Sequence, residues 1–241
     1  MGPSAYPLPV RVLALDTSTE VGSVAVLVDG AVAAEAHALV RARHGETWSV
    51  LVEQVLAWAR LSARDLDLIG VGIGPGSFTG TRVGVAAAKG LAISIGCPLA
   101  GVVSLRALAR GAPGDRIACV VDAHKGEVYA AAYEREGARL IERIAPFHAT
   151  PEVASARLRD VASIAVGSGL RRYPELGLPE LGLCCAEPIF DVPRGGLIAL
   201  EALERWRGER NDERATLEPL YVRPSDAVLP ERPLEDVGSD R

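Results

Sequence analysis

The period of the hydrophobic pattern changes several times along the first hundred residues, and each change marks an element. Residues 10–15 form a short apolar run ending in Asp16-Thr17-Ser18-Thr19; residues 21–28 resume in β-rich composition, and Asp29-Gly30 separates them from 31–39. Short β-rich runs divided by polar turns predict three antiparallel strands joined as hairpins. From Trp48 onward, Trp48, Leu51, Val52, Val55, Leu56 and Ala59 recur at i, i+3, i+4, i+7, i+8 and i+11, the signature of an amphipathic helix. Trp58 widens its apolar face beyond what one sheet contact requires, which predicts a second packing partner. Residues 66–73 read as a buried strand, broken by the glycine-rich stretch from Gly72 to Gly80. A helix over 83–95 follows, with Thr79 or Thr81 as its cap, and then a buried strand over 99–103. The order β-β-β-α-β-α-β predicts a mixed sheet with helices on its faces, in the α/β class.

After a turn-rich linker at 111–115 the opening pattern returns. Residues 117–121 end in Asp122, the polar turn 123–126 leads into 127–133, and a second turn at 134–137 leads into 138–144. A strand ending in Asp, a hairpin and a third strand thus occur twice, which indicates duplication. The second copy continues with a helix over 151–158, a strand over 163–166, the glycine turn Gly167-Ser168-Gly169 and a last helix over 197–207. Residues 173–193 are rich in proline and glycine and predict a loop-dominated remnant. The expected organisation is an N-terminal lobe over 10–111 and a smaller C-terminal lobe over 112–223. A disordered extension over 1–9 and a charged, proline-rich mobile tail over 224–241 flank them.

Composition narrows the function classes. Among 241 residues, 49% are hydrophobic and 24% charged, which is globular material. A net charge of −5 argues against a broad basic face, so any contact with RNA is expected to lean on a partner. Cys97, Cys119, Cys184 and Cys185 show no C-x-x-C spacing and read as reduced, mostly buried thiols of a cytoplasmic protein. Residues 1–9 have neither a basic residue nor a long apolar core, and no stretch is long enough to span a bilayer, so no membrane association is expected.

Three constellations invite chemistry. Gly72, Gly74, Gly76 and Gly80 precede a helix, and such a loop serves either as an anion cradle or as a close strand-to-helix crossing. Neither G-x-G-x-x-G nor the P-loop signature fits, which favours the crossing. Asp16, Thr17, Ser18 and Thr19, with Asp122 at the mirrored place, either hold a phosphate and its metal across a cleft or form Asx turns. The four histidines, His37, His44, His124 and His148, include no i, i+4 pair, and Trp48 stands four residues after His44, so no metal site is expected. Ser77 does not sit in G-x-S-x-G, so a serine hydrolase is not supported. Gly80, Gly84, Ala87, Ala88 and Leu91 form a small-residue stripe. Beside Trp48, Leu51, Val52, Val55 and Trp58 it suits a helix–helix interface, self-paired or with a related chain.

Leu13-Ala14-Leu15-Asp16-Thr17-Ser18-Thr19, the stretch from Gly74 to Gly84 and Ala86 to Ala92 closely resemble the bacterial TsaB family, also called YeaZ. Asp122, Gly126-Glu127-Val128-Tyr129 and Pro219-Leu220-Tyr221-Val222-Arg223 are also similar to it. The resemblance implies an actin-like, Hsp70-like, sugar-kinase-type fold of two RNase-H-like lobes with mixed sheets, the second reduced. It also implies a noncatalytic scaffold in the making of threonylcarbamoyladenosine beside the anticodon of tRNAs that read codons beginning with adenine. The implied partners are TsaD, in a heterodimer, and TsaE. ATP is used through TsaE, a metal is held by a histidine pair in TsaD, no cofactor belongs to this chain, and tRNA is met only through the complex. A homodimer in isolation is the implied alternative. His44 falls at the place of the first TsaD histidine and Trp48 at the second, which agrees with a scaffold. An independent ATPase or small-molecule kinase using Asp16 to Thr19 and Asp122 is the competing expectation.

Overall fold

The computed structural model describes residues 10–40 and 44–223; the expectations for 1–9 and 224–241 lie outside the described residues. In chain order the first half runs β1 (Arg11–Asp16), β2 (Val21–Val28), β3 (Ala31–Leu39), α1 (His44–Trp58), β4 (Leu68–Gly72), α2 (Phe78–Ile95), β5 (Leu99–Val102) and α3 (Ser104–Gly111). The second runs β6 (Arg116–His124), β7 (Glu127–Glu136), β8 (Arg139–Ala149), α4 (Pro151–Leu158), β9 (Ile164–Val166), α5 (Gly169–Arg172), β10 (Cys184–Cys185) and α6 (Gly195–Glu209). The two five-stranded sheets have orders β3-β2-β1-β4-β5 and β8-β7-β6-β9-β10. In both, the first three strands are antiparallel and the last two run parallel to the first. The duplication read from the sequence is therefore a duplication of topology, and the chain has the two-lobed α/β fold of the actin, Hsp70 and sugar-kinase group.

Strand β1 is buried on both faces because each face has its own cover. Leu13 and Leu15 join α1 and α2 in one core, whereas Val12 and Ala14 join Ile198, Ala199, Ala202 and Leu203 of α6 in another. The last helix thus returns to the first sheet, passing so close to Gly70 that a Cβ there would lie 2.8 Å from the Ala202 Cβ. In exchange, Leu105, Leu108 and Ala109 of α3 pack on Ile117, Cys119 and Val121 of the second sheet. The sequence reading misses this helix, although Leu105, Leu108, Ala109 and Ala112 recur at i, i+3, i+4 and i+7 among Ser104, Arg106 and Arg110.

Several boundaries differ from the sequence pattern. Helix α2 starts at Phe78, and its cap is Ser77, whose Oγ accepts the Gly80 N–H at 3.2 Å, in place of Thr79 or Thr81. Strand β8 continues past Pro146 to Ala149 because it is the edge of its sheet, where a missing N–H costs no ladder bond. Cys97 and Cys119 are buried, but Cys184 and Cys185 are exposed, since β10 is a two-residue edge strand with no cover. Beyond α6 the chain crosses both lobes. Glu213 accepts the Gly101 N–H at 2.7 Å, Leu220 N–H bonds Ile73 O at 2.8 Å, and Arg223 pairs with Glu127 at 3.2 Å. No helix among the described residues is long and apolar enough to cross a membrane.

Candidate functional site

The glycine loop between β4 and α2 is shaped by what lies under it. A Cβ on Gly76 would stand 2.1 Å from Ser18 O, one on Gly72 1.8 Å from Asp16 Oδ2, and one on Gly84 2.2 Å from Thr17 Oγ1. Ser77 N–H donates to Ser18 O at 2.7 Å, and Thr17 Oγ1 donates to Gly80 O at 2.7 Å. Loop and helix are clamped on the β1–β2 turn, with no room for a side chain at Gly72, Gly76 or Gly84.

Asp16 is fully buried inside that clamp. Its Oδ1 accepts the Ser18 N–H at 2.8 Å and the Ser18 hydroxyl at 2.7 Å, and its Oδ2 accepts the Ser104 hydroxyl at 2.6 Å. Ser104 Oγ in turn accepts the Gly74 N–H at 3.1 Å. Burial pushes the Asp16 carboxyl above its ordinary pKa, against the lowering influence of Ser104 and Ser18. Asp16 therefore forms an Asx turn and is not presented to a cleft, and Thr17, also buried, points into the same contact. Both residues are spent on contacts within the chain in this structure, Asp16 through Ser18 and Ser104 and Thr17 through Gly80 O. In the second lobe Asp122 repeats the turn, with Oδ1 accepting the His124 N–H and the Tyr173 hydroxyl, each at 2.7 Å. Ser18, Thr19 and Asp122 border an interlobe cleft of about 410 Å³ that also includes Ser168 and Arg171. Asp16 and Thr17 do not line it. Among the described residues no group of three or more His, Cys, Asp or Glu side chains is placed to hold a metal.

A second candidate surface is the outward side of α1 and α2, which lie side by side on the first sheet. Here the structure corrects the sequence pattern. Val52, Val55, Gly80, Gly84 and Ala88 are buried against the chain's own strands, because the small residues serve the close approach of α2 to β1. Trp48, Leu51, Ala87 and Leu91 are partly buried. Trp58 does face outward, 58% exposed, and it is joined by Val50 at 62% and Ile93 at 65%, neither of which the helical stripe includes. On α2 Ala86 and Gly90 are also exposed, and a Cβ on Gly90 would meet nothing within 4 Å. The signal for this face lies in apolar residues at off-stripe positions. His44 opens α1, and its side chain lies outside the described residues.

Comparison with known proteins accords with this architecture. Residues 38–168 match the family model described as "TsaD: tRNA N6-adenosine threonylcarbamoyltransferase". The tRNA threonylcarbamoyladenosine biosynthesis protein TsaB of Escherichia coli is 34% identical over 225 residues, 89% of this chain and 95% of that protein. Its namesake in Haemophilus influenzae is 32% identical, over 69% of this chain and 75% of its own length. Among solved structures, a Pseudomonas aeruginosa protein described as similar to peptidase YeaZ superposes with a TM-score of 0.77 at 28% identity. It covers 89% of this chain and 100% of its own. Component A of (R)-2-hydroxyglutaryl-CoA dehydratase from Acidaminococcus fermentans, with a TM-score of 0.50 at 12% identity over 81% of this chain and 98% of its own, shares the fold. With sequence likeness across nearly the whole chain and a matching two-lobed architecture, this chain belongs to the TsaB (YeaZ) family.

Proposed function

We propose that this chain serves tRNA threonylcarbamoyladenosine biosynthesis in the cytoplasm as a noncatalytic partner of the related threonylcarbamoyltransferase TsaD, with TsaE as a further member of the assembly. The observation that carries the reading is the exposed apolar face of Val50, Trp58 and Ile93 on two neighbouring helices. Isolated apolar surface residues need no explanation, but three large ones on two neighbouring helices, one of which also exposes Ala86 and Gly90, favour a helix–helix contact. Asp16, sealed under Ser18 and Ser104, supports a structural use of the strand end that a two-lobed phosphotransferase would employ for catalysis. On this reading ATP and metal are the concern of the partners.

Co-expression of the tagged chain with TsaD of the same organism tests it. Trp58→Glu and Ile93→Glu should each abolish co-purification while leaving the melting temperature unchanged, and in a tRNA modification assay neither variant should replace the wild-type chain. Undiminished co-purification of both variants sinks the docking surface. Turnover of Mg–ATP by the isolated chain sinks the noncatalytic assignment. Self-pairing through the same face, seen as a dimer that either variant dissociates, would make the partner complex a competitor of the homodimer.

A further inference from the structure

A cleft of about 510 Å³ lies apart from the buried Asp16 turn, between the N-terminal end of α2, the β6–β7 turn and the segment ending at Arg223. Its aromatic and cationic residues form an ordered group. The Arg82 guanidinium lies 3.7 Å from the centroid of the Phe78 ring and 5.5 Å from that of Tyr221, and its Nε donates to the Tyr221 hydroxyl at 2.7 Å. The two rings, 5.7 Å apart, are 47% and 48% exposed, so each keeps an open face. Lys125 lines the opposite side from the two-residue turn Lys125-Gly126, where φ is 55° and 81° and the preceding His124 also has a φ of 60°. That conformation is costly for side-chain-bearing residues and is retained where the surrounding structure imposes it. Arg223 also lines the cleft and pairs with Glu127 behind it. Thr81 is 4% exposed and lines the cleft, and its hydroxyl has no hydrogen-bond partner among the described residues. Among the described residues no carboxylate side chain lines the cleft, in a chain whose net charge is −5.

Flat π faces, a stacked guanidinium and an ammonium group, in a cleft whose lining has no acidic side chain, are the equipment that holds an unpaired nucleotide. The base stacks on the aromatic and guanidinium faces and the phosphate meets the cation. A phosphopeptide is less well served, since Arg82 lies on the Phe78 ring with its Nε held by the Tyr221 hydroxyl, and one Nη of Arg223 is paired with Glu127. We propose that this cleft binds one unpaired nucleotide of an RNA strand, with its base against Phe78, Arg82 and Tyr221 and its phosphate at Lys125. The inference deepens the proposed role in tRNA modification and rests on it: it gives this chain a direct RNA contact of its own, local enough to coexist with an acidic overall balance.

The test uses the full chain and a short, fluorescently labelled single-stranded oligoadenylate, read by anisotropy across a salt series. The wild type should bind with salt-sensitive affinity. Tyr221→Ala should weaken binding about tenfold or more, and Tyr221→Phe, which keeps the ring, should retain it. Lys125→Ala should reduce the slope of log affinity against log salt by about one. Absence of wild-type binding, or equal affinity for wild type, Tyr221→Ala and Lys125→Ala, overturns the proposal. Competition by AMP as strong as by RNA overturns the RNA source, and competition by inorganic phosphate alone overturns the nucleotide. Co-purification of Tyr221→Ala with TsaD separates the two readings, because the docking face of α1 and α2 can stand when the cleft assignment falls, and the reverse.

Discussion

The two lobes share one strand order but differ in the segment that each glycine loop launches. In the first, Gly72 to Gly76 lead into an 18-residue helix whose inner side is pinned to β1 and whose outer side carries Ile93. In the second, Gly167 leads into α5, four residues long, and then into short 3-10 turns. Both loops are nonetheless built on the same device, a side chain that comes after the fifth strand and satisfies a glycine N–H. Ser104 accepts from Gly74 in one lobe and Asp191 from Gly167 in the other, at 3.1 and 2.7 Å. Duplication preserved the mechanics of the strand-to-loop junction, while the surface that such a junction can launch was kept on one side only.

Substitutions at the junctions test that likeness first, with the largest effects. Gly76→Ala would place a methyl 2.1 Å from Ser18 O, and Gly167→Ala one 2.2 Å from Val120 O at a φ of 120°. Each should cost about 3 kcal/mol or more, measured by denaturant unfolding, because backbone cannot yield as a side-chain tip can. A mild effect at one glycine alone would break the equivalence of the lobes. Next, Ser104→Ala leaves the buried Asp16 Oδ2 and the Gly74 N–H without their shared partner and should cost about 2 kcal/mol. In the second lobe the partly buried Ser168, whose loss in Ser168→Ala removes a 3.3 Å bond from Asp122 N–H, should cost well under half of that.

Smaller and pH-dependent is the clamp between β3 and α6. Burial alone would raise the Glu35 carboxyl, but the hydrogen bonds with His37, the Gly196 N–H and Arg194, and the Arg194 charge, pull it down to about 2 from an ordinary 4.5. A folded pKa below the unfolded one means the contribution is present above the unfolded value and is lost as pH falls through the folded one. Melting temperature should therefore drop between pH 5 and about 2, and Glu35→Gln should flatten that part of the profile. The smallest effect is expected at the exposed edge of the second sheet, where Cys185→Ser should change stability by no more than about 0.5 kcal/mol.

Much of the fold is legible in the sequence because its signals are local. Asp29-Gly30 sets the β2–β3 hairpin to the residue, and the repeat of Asp16 and Asp122 exposes the duplication. The site is less legible, since periodicity reports which residues share a face and is silent about which neighbour that face meets. Gly84 and Ala88 have the spacing of a docking stripe, yet Thr17 and Leu15 lie against Gly84, and Ala88 is buried in the same core. Val50 and Ile93 fall off the stripe and for that reason remain outside. The bond from Ser104 to Asp16 spans 88 positions and leaves no trace in either local pattern.

The exchange of α3 and α6 between sheets also sets a timetable. During synthesis the first sheet can be assembled once Val102 has emerged, but Ile198, Ala202 and Leu203, which close one of its faces, arrive almost a hundred residues later. Until then an apolar sheet face stays open, and burial that spans such a sequence distance is slow to form. Neither lobe owns a complete interior, so the chain must fold as a single cooperative body, and a fragment ending at Gly111 would inherit the strands without the means to keep them dry.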